Sequence, residues 1–277
     1  MKKNILLPTD FSDNAWSAAL YTLKLYAEKD CTFYFLHSAK MKVSTMSSMS
    51  NKLLRVMTEE AKNNLSELKS MAENINTNAN HSFETILSSY ELQDAMDTII
   101  KKYSINLVVM GTKGATKAHE IVFGSNTVNS IKNIKECPVL MVPDEFDYVK
   151  PEQIAFPTDF HRVYGDELLP LKQLASIYDS KIRIVHINKQ DKLSDAQNTN
   201  LELLKTSLAN YTHSFHWMPD YGNKEKIIKD FIEELDINIL TMINYKHSFI
   251  ESIIKEPVIK KLGFQPTIPF LVIPCIS

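Results

Sequence analysis

Short uninterrupted apolar runs punctuate the chain at 4–8, 31–37, 83–87, 105–110 and 138–142. Runs of this length, rich in Ile, Leu, Val and Phe, predict strands buried on both faces. Between them the apolar positions return every three or four residues. This spacing predicts helices from Ser12 through Ala15, Ala18, Ala19, Thr22 and Leu23 to Tyr26, and over 52–74, 91–103 and 125–134. Ser12 stands where a helix N-cap belongs. Strand alternating with helix, with every strand buried, predicts an α/β fold built on a doubly wound, mostly parallel sheet.

The pattern runs twice. Ile5-Leu6-Leu7-Pro8-Thr9-Asp10-Phe11 returns as Ile154-Ala155-Phe156-Pro157-Thr158-Asp159-Phe160, and Leu36-His37 returns as Val185-His186. His81-Ser82-Phe83 then matches His213-Ser214-Phe215, and Ile105-Asn106-Leu107 matches Ile237-Asn238-Ile239. The closing strand Pro138-Val139-Leu140-Met141-Val142-Pro143 matches Pro269-Phe270-Leu271-Val272-Ile273-Pro274. The copies keep their order, and the second is about seventeen residues shorter between its histidine and its HSF tripeptide. Two tandem domains of one fold follow, 1–147 and 151–277, meeting in the charged, proline-bracketed segment Asp144–Pro151.

Composition narrows the class. In 277 residues, 31 Lys and Arg stand against 33 Asp and Glu, for a formal charge of −2. That balance, without a basic arm, argues against binding nucleic acid by neutralising phosphates. Cys31, Cys137 and Cys275 are scattered, with no metal-ligand spacing, and suit a reducing compartment. Ile5-Leu6-Leu7 is too short for a signal peptide, and no apolar run reaches the roughly 18–20 residues that span a bilayer. The expectation is a cytoplasmic protein that does not enter a membrane.

Three of the six glycines, Gly111, Gly114 and Gly124, fall in one stretch of spacing G-x2-G-x9-G-S. The stretch opens where the strand ending at Met110 stops and closes where a helix begins at Ser125. Ligands of open parallel sheets sit beyond the carboxyl ends of the strands, at the point where strand order reverses. A glycine at a strand end allows close backbone approach or positive φ. A helix starting at Gly124-Ser125 presents free amide N–H groups to an anion. The hydroxyls of Ser125 and Thr127 add donors, and Lys113 and Lys117 add charge, although loop lysines are more often simply solvated. Asp10, at the end of the first strand, faces the same crevice. Its carboxylate repels phosphate and so belongs at the base or ribose end of a nucleotide.

The Pro-Thr-Asp-Phe-Ser start, the strand ending in Leu36-His37, the G-x2-G-x9-G-S run and the closing Cys-Pro-Val-Leu-Met-Val-Pro strand together resemble the universal stress protein family, once in each half. The resemblance implies Rossmann-like domains of the adenine nucleotide alpha hydrolase-like kind. It also implies that their closing strands, Pro138–Val142 and Pro269–Ile273, pair the two halves as an intramolecular pseudo-dimer; further homodimerisation stays open. For the first half it implies ATP, ADP or AMP as ligand, with Mg2+ as the accompanying cation. Pro8, Thr9 and Asp10 then lie near the base, and Met110, Gly111 and Gly114 along ribose and phosphate. Gly124, Ser125, Asn126 and Thr127 form the phosphate turn. Asn126 departs from the aliphatic residue common at its position, which touches local packing only.

The second copy departs further. Ile243-Asn244-Tyr245-Lys246-His247 replaces the start of the glycine stretch, and Glu256 and Pro257 stand opposite Gly124 and Ser125. A glutamate opposes a phosphate and a proline removes a donor, while Pro257 suits the first position of a helix that Gly263 would stop. Asp159 is retained, most simply as a cap of its own turn. His37 and His186 have no nucleophile nearby in sequence, which favours hydrogen-bonding roles, and His247 has no companion ligands. The serine- and methionine-rich segment Met41–Met57 reads as a loop, with a lid over the nucleotide as the sharper alternative.

Three functions compete. The first is a stress-response or signalling module that binds an adenine nucleotide in its first domain as a regulatory switch toward a protein partner, without dedicated catalysis. The second is a slow ATPase or a nucleotidyl- or phosphoryl-transfer enzyme, which lacks a carboxylate pair or arginine finger beside the glycines. The third is a scaffold with no ligand.

Overall fold

The structure, a computed structural model, describes residues 2–39, 51–116, 120–122, 125–144, 146–188, 192–221, 224–245 and 267–275. The chain divides into two compact units, Met1–Tyr148 and Val149–Ser277.

The first unit contains β1 (Lys3–Pro8), α1 (Asp13–Leu25), β2 (Cys31–Ser38), α2 (Asn51–Ile75), β3 (Ser82–Ser88), α3 (Leu92–Tyr103) and β4 (Leu107–Gly111). There follow β5 (Lys113–Thr116), β6 (Glu120–Val122), α4 (Ser125–Asn133) and β7 (Val139–Val142). Its main sheet runs β3-β2-β1-β4-β7, every neighbouring pair parallel. The order reverses between β1 and β4, so their carboxyl ends open the crevice where such sheets take ligands. Burial of Ile5, Leu6, Leu36, Val108 and Met141, all fully enclosed, explains the unbroken apolar runs.

Local signals set the helices. Ser12 accepts the Ala15 amide at 3.3 Å and so caps α1. Helix α2 buries Ala61, Leu65, Leu68 and Ala72, one stripe at helical spacing. The helix starts at Asn51, in line with the helix expected over 52–74, so residues 51–57 belong to it and not to the loop; 40–50, the rest of the suggested lid, lie outside the described residues. After β7 the chain stays with the first unit: Tyr21 of α1 meets the rings of Phe146 and Tyr148 edge-on, at 5.9 and 5.5 Å.

A second departure is the glycine stretch. It is not irregular throughout, since β5 and β6 pair antiparallel, Lys113 opposite Val122 and Thr116 opposite Glu120, with a shift of register between them. Thr116, Ile121 and Val122 supply the β-branched residues that such a ribbon favours.

The second unit repeats the plan with β8 (Gln153–Pro157), α5 (Leu169–Tyr178), β9 (Lys181–Ile187), α6 (Asp195–Ser207), β10 (His213–Met218), α7 (Lys224–Glu234), β11 (Ile239–Asn244) and β12 (Phe270–Pro274). Its strands run β10-β9-β8-β11-β12, again parallel. The duplication reaches single hydrogen bonds. The Asn106 side chain accepts the Asn4 amide at 2.8 Å, and Asn238 accepts Gln153 at 2.9 Å, each fixing the register of the first and fourth strands. The residues that close the helices before them, Ser104 and Asp236, both have φ of 49°.

Candidate functional site

Two segments converge at the β1/β4 end of the first unit. The first is the turn after β1. Thr9 N–H continues the sheet ladder to the Leu36 carbonyl at 2.8 Å, and the Thr9 hydroxyl accepts the Phe11 amide at 3.0 Å. Asp10 Oδ1 accepts both the Ser12 amide (3.1 Å) and the Ser12 hydroxyl (2.5 Å). These bonds hold Phe11 in the left-handed region at φ 63°, an uncommon state for a bulky residue. His37 Nδ1 donates to the Thr9 carbonyl at 2.9 Å, and its ring lies 4.4 Å from that of Phe11. The histidine therefore braces the turn. Asp10 itself is exposed, and its Oδ2 carries no hydrogen bond among the described residues.

The second segment follows β4. Met110 is buried and pairs with Met141. At Gly111 the first turn of α1 presses against the chain: a Cβ there would lie 2.3 Å from Asn14 Oδ1 and 2.7 Å from the Asn14 carbonyl. Close approach, not a left-handed backbone, is what requires glycine here, and it brings the Asp10 turn beside the end of β4. Sequence reasoning missed Asn14, because nothing local links a helix residue to a glycine so distant in the chain. Thr112, fully buried, continues the ladder to the Val142 carbonyl at 2.9 Å.

Gly114 lies within β5, and Gly124 lies outside the described residues. Ser125, Asn126 and Thr127 form the first turn of α4, where helix geometry leaves amide N–H groups without intrahelical partners. Thr127 is 3% exposed, and its hydroxyl donates to the Gly111 carbonyl at 3.2 Å. Its side chain is thus a tie between α4 and β4, not the free donor expected from sequence. Lys113 opens β5, and Lys117 lies outside the described residues. No group of three or more His, Cys, Asp or Glu among the described residues is arranged to hold a metal ion.

The equivalent turn of the second unit is nearly superimposable in its bonding. Thr158 accepts the Phe160 amide at 3.1 Å, Asp159 Oδ1 accepts the His161 amide at 3.0 Å, and Phe160 has φ of 56°. His186 Nδ1 donates to the Thr158 carbonyl at 2.9 Å, and burial holds the ring's pKa below its ordinary value. The surroundings differ. The Tyr245 hydroxyl donates to Asp159 Oδ1 at 2.9 Å, and the Tyr164 hydroxyl bonds Thr158 Oγ1 at 2.7 Å. The Arg162 guanidinium covers both tyrosine rings, at 5.0 and 5.8 Å, and is paired with buried Glu167. Glu256, Pro257, Gly263 and His247 lie outside the described residues.

Comparison with known proteins agrees with this plan. The chain is 29% identical over 161 residues to universal stress protein MJ0577 of Methanocaldococcus jannaschii, covering 51% of this chain and 95% of that protein. It is also 29% identical over 143 residues to universal stress protein MJ0531 of the same organism, covering 50% and 81%. A universal stress protein structure from Archaeoglobus fulgidus has the same fold over 98% of both chains, with a TM-score of 0.72 at 19% identity. The cytoplasmic domain of a prokaryotic cation chloride cotransporter shares the fold over 99% of this chain, with a TM-score of 0.54 at 10% identity, so the fold alone does not assign an activity. No helix among the described residues is long and apolar enough to cross a membrane. A profile of the universal stress protein family matches residues 1–143, more than half of the sequence, and the chain belongs to that family.

Proposed function

We propose that the first unit binds an adenine nucleotide, ATP before ADP or AMP, and that occupancy acts as a regulatory switch in a cytoplasmic stress response rather than as a step of catalysis. The observation that carries this reading is the contact of Gly111 with Asn14. It supports the reading because Asn14 lies four residues beyond exposed Asp10, while Thr127 of the first turn of α4 bonds the same Gly111. A carboxylate and a cluster of amide donors at opposite ends of one crevice suit a ligand with hydroxyls at one end and phosphates at the other. In this reading Pro8, Thr9 and Asp10 lie near the base. Met110, Gly111 and Gly114 run along the ribose and phosphates, and the Gly124–Thr127 turn receives the phosphates. Any Mg2+ arrives on the phosphates, since the described residues offer no carboxylate cluster for it.

A switch requires that ATP bind two states of the protein with different affinity. Its output is the surface offered to a protein partner. Native mass spectrometry of the full chain purified without added nucleotide tests the binding: one adenine nucleotide per chain is expected. No binding of ATP or AMP at millimolar concentration overturns the proposal. Many turnovers of ATP, abolished by Gly124→Glu, would overturn the non-catalytic part alone.

A further inference from the structure

The second unit keeps the turn of the first, yet its carboxylate is already engaged. Asp10 is exposed, with no bond to Oδ2 among the described residues, whereas Asp159 is half-buried and accepts the Tyr245 hydroxyl at 2.9 Å. Aligned on the repeat, Tyr245 occupies the place of Lys113, just past the strand end where the first unit opens. Its ring does not swing freely, because Arg162 stacks on it at 5.0 Å while the same guanidinium is anchored to buried Glu167 and donates to Cys275 Sγ at 2.8 Å. Behind it the Tyr164 hydroxyl interacts with that of Tyr245 and bonds Thr158.

The chemistry of this contact is that of a ligand. A carboxylate near a strand's carboxyl end can accept a ligand hydroxyl, as an acidic residue accepts one from the ribose in dinucleotide-binding folds. In the second unit a hydroxyl is delivered by the protein itself, on an aromatic ring with roughly the breadth of a base. Burial pushes both tyrosine hydroxyls well above their ordinary range, so each remains a protonated donor at neutral pH.

We propose that Tyr245 closes the crevice of the second unit from within, standing where a nucleoside would stand, and that the crevice beneath it retains a nucleoside-binding surface built on Asp159. The ligand class is a nucleoside without phosphates, because Glu256 and Pro257 replace the residues of the phosphate turn in sequence. The ligand class rests on the nucleotide reading of the first unit; the closure rests on the Tyr245 contact alone.

Trp217 offers a local readout, since its ring lies 5.8 Å from Phe160 in the Asp159 turn and 5.4 Å from His186. In the full chain carrying Trp16→Phe, adenosine is titrated against Trp217 emission with Tyr245, Tyr245→Phe and Tyr245→Ala. Expected is a saturable response in Tyr245→Ala at least tenfold tighter than in the Tyr245 chain, with Tyr245→Phe between them. Adding Asp159→Asn to Tyr245→Ala is expected to weaken the gained affinity. A folded Tyr245→Ala chain that binds adenosine no better than the Tyr245 chain overturns the proposal. If the alanine variant does not fold, a Tyr245→Phe chain no better than its parent does the same. ATP counted on the first unit by native mass spectrometry is a separate observable, so failure there leaves the Trp217 result standing.

Discussion

Gly111 and Asn14 lie so close that a methyl group on the glycine would stand 2.3 Å from the asparagine Oδ1 and 2.7 Å from its carbonyl. Backbone atoms cannot yield as a flexible side-chain tip can. Gly111→Ala is therefore expected to push α1 away from β4. Thermal melting should fall, by the order of 1–3 kcal/mol typical of overpacking, and ATP affinity should fall with it by at least tenfold in calorimetry. An alanine variant with parental affinity would remove the central geometric support for the proposed site.

Asp10 has two separable duties. Its Oδ1 holds the Ser12 amide and hydroxyl, a task that an asparagine oxygen also performs. Asp10→Asn is expected to change stability by less than about 0.5 kcal/mol in a denaturant titration. Nucleotide affinity should nonetheless drop about tenfold, the loss expected when a charged acceptor becomes neutral. Equal affinity in the two proteins would place the carboxylate outside the site.

Thr127 acts through its bond to the Gly111 carbonyl. Thr127→Val keeps the shape and removes the donor, at a cost of about 1 kcal/mol. Thr127→Ser restores the hydroxyl and should recover most of both stability and ATP binding. A valine variant that melts lower but binds ATP normally would confine Thr127 to a structural role.

Alkaline stability should report the buried tyrosines. Burial raises the Tyr164 hydroxyl from 10.0 to about 12. The unfolded chain loses this proton first, so the stabilisation is complete below pH 10 and is lost as pH rises toward 12. Burial likewise raises Cys31 and Cys137 from 9.0 to about 12, and their contribution is lost over the window from 9 to 12. Denaturant midpoints followed from pH 8 upward should fall through these windows, and Tyr164→Phe should flatten the upper part of the decline. An unchanged slope in that variant would contradict the burial of the hydroxyl.

Much of the fold was readable because it rests on local pattern. Buried strands declare themselves as apolar runs, and the helix over 91–103 is found at Leu92–Tyr103, ended by left-handed Ser104. Asn106 and Asn238 recur because each satisfies a backbone amide of the neighbouring first strand. The site was readable only where a residue type carries its own chemistry, as Asp10 does. The demand for glycine at 111 comes from α1, far away in sequence, and the Thr127 hydroxyl is turned inward by a carbonyl that only folding brings near. The β5–β6 ribbon was hidden by its shortness and its glycine. Tyr245 carried one weak signal, an aromatic ring opposite Lys113 in the repeat, and its meaning depended on Asp159 being within 2.9 Å.

Phe11 and Phe160 hold the same unusual torsion, at 63° and 56°, each kept there by a threonine, an aspartate and a histidine. One polypeptide thus carries two castings of a single mould, one with its acid open to solvent and one with its acid capped by a phenol. Heat, salt or pH applied to the molecule reaches both alike. Whatever then differs between the Asp10 and Asp159 turns measures the divergence of the copies, with each half serving as the reference for the other.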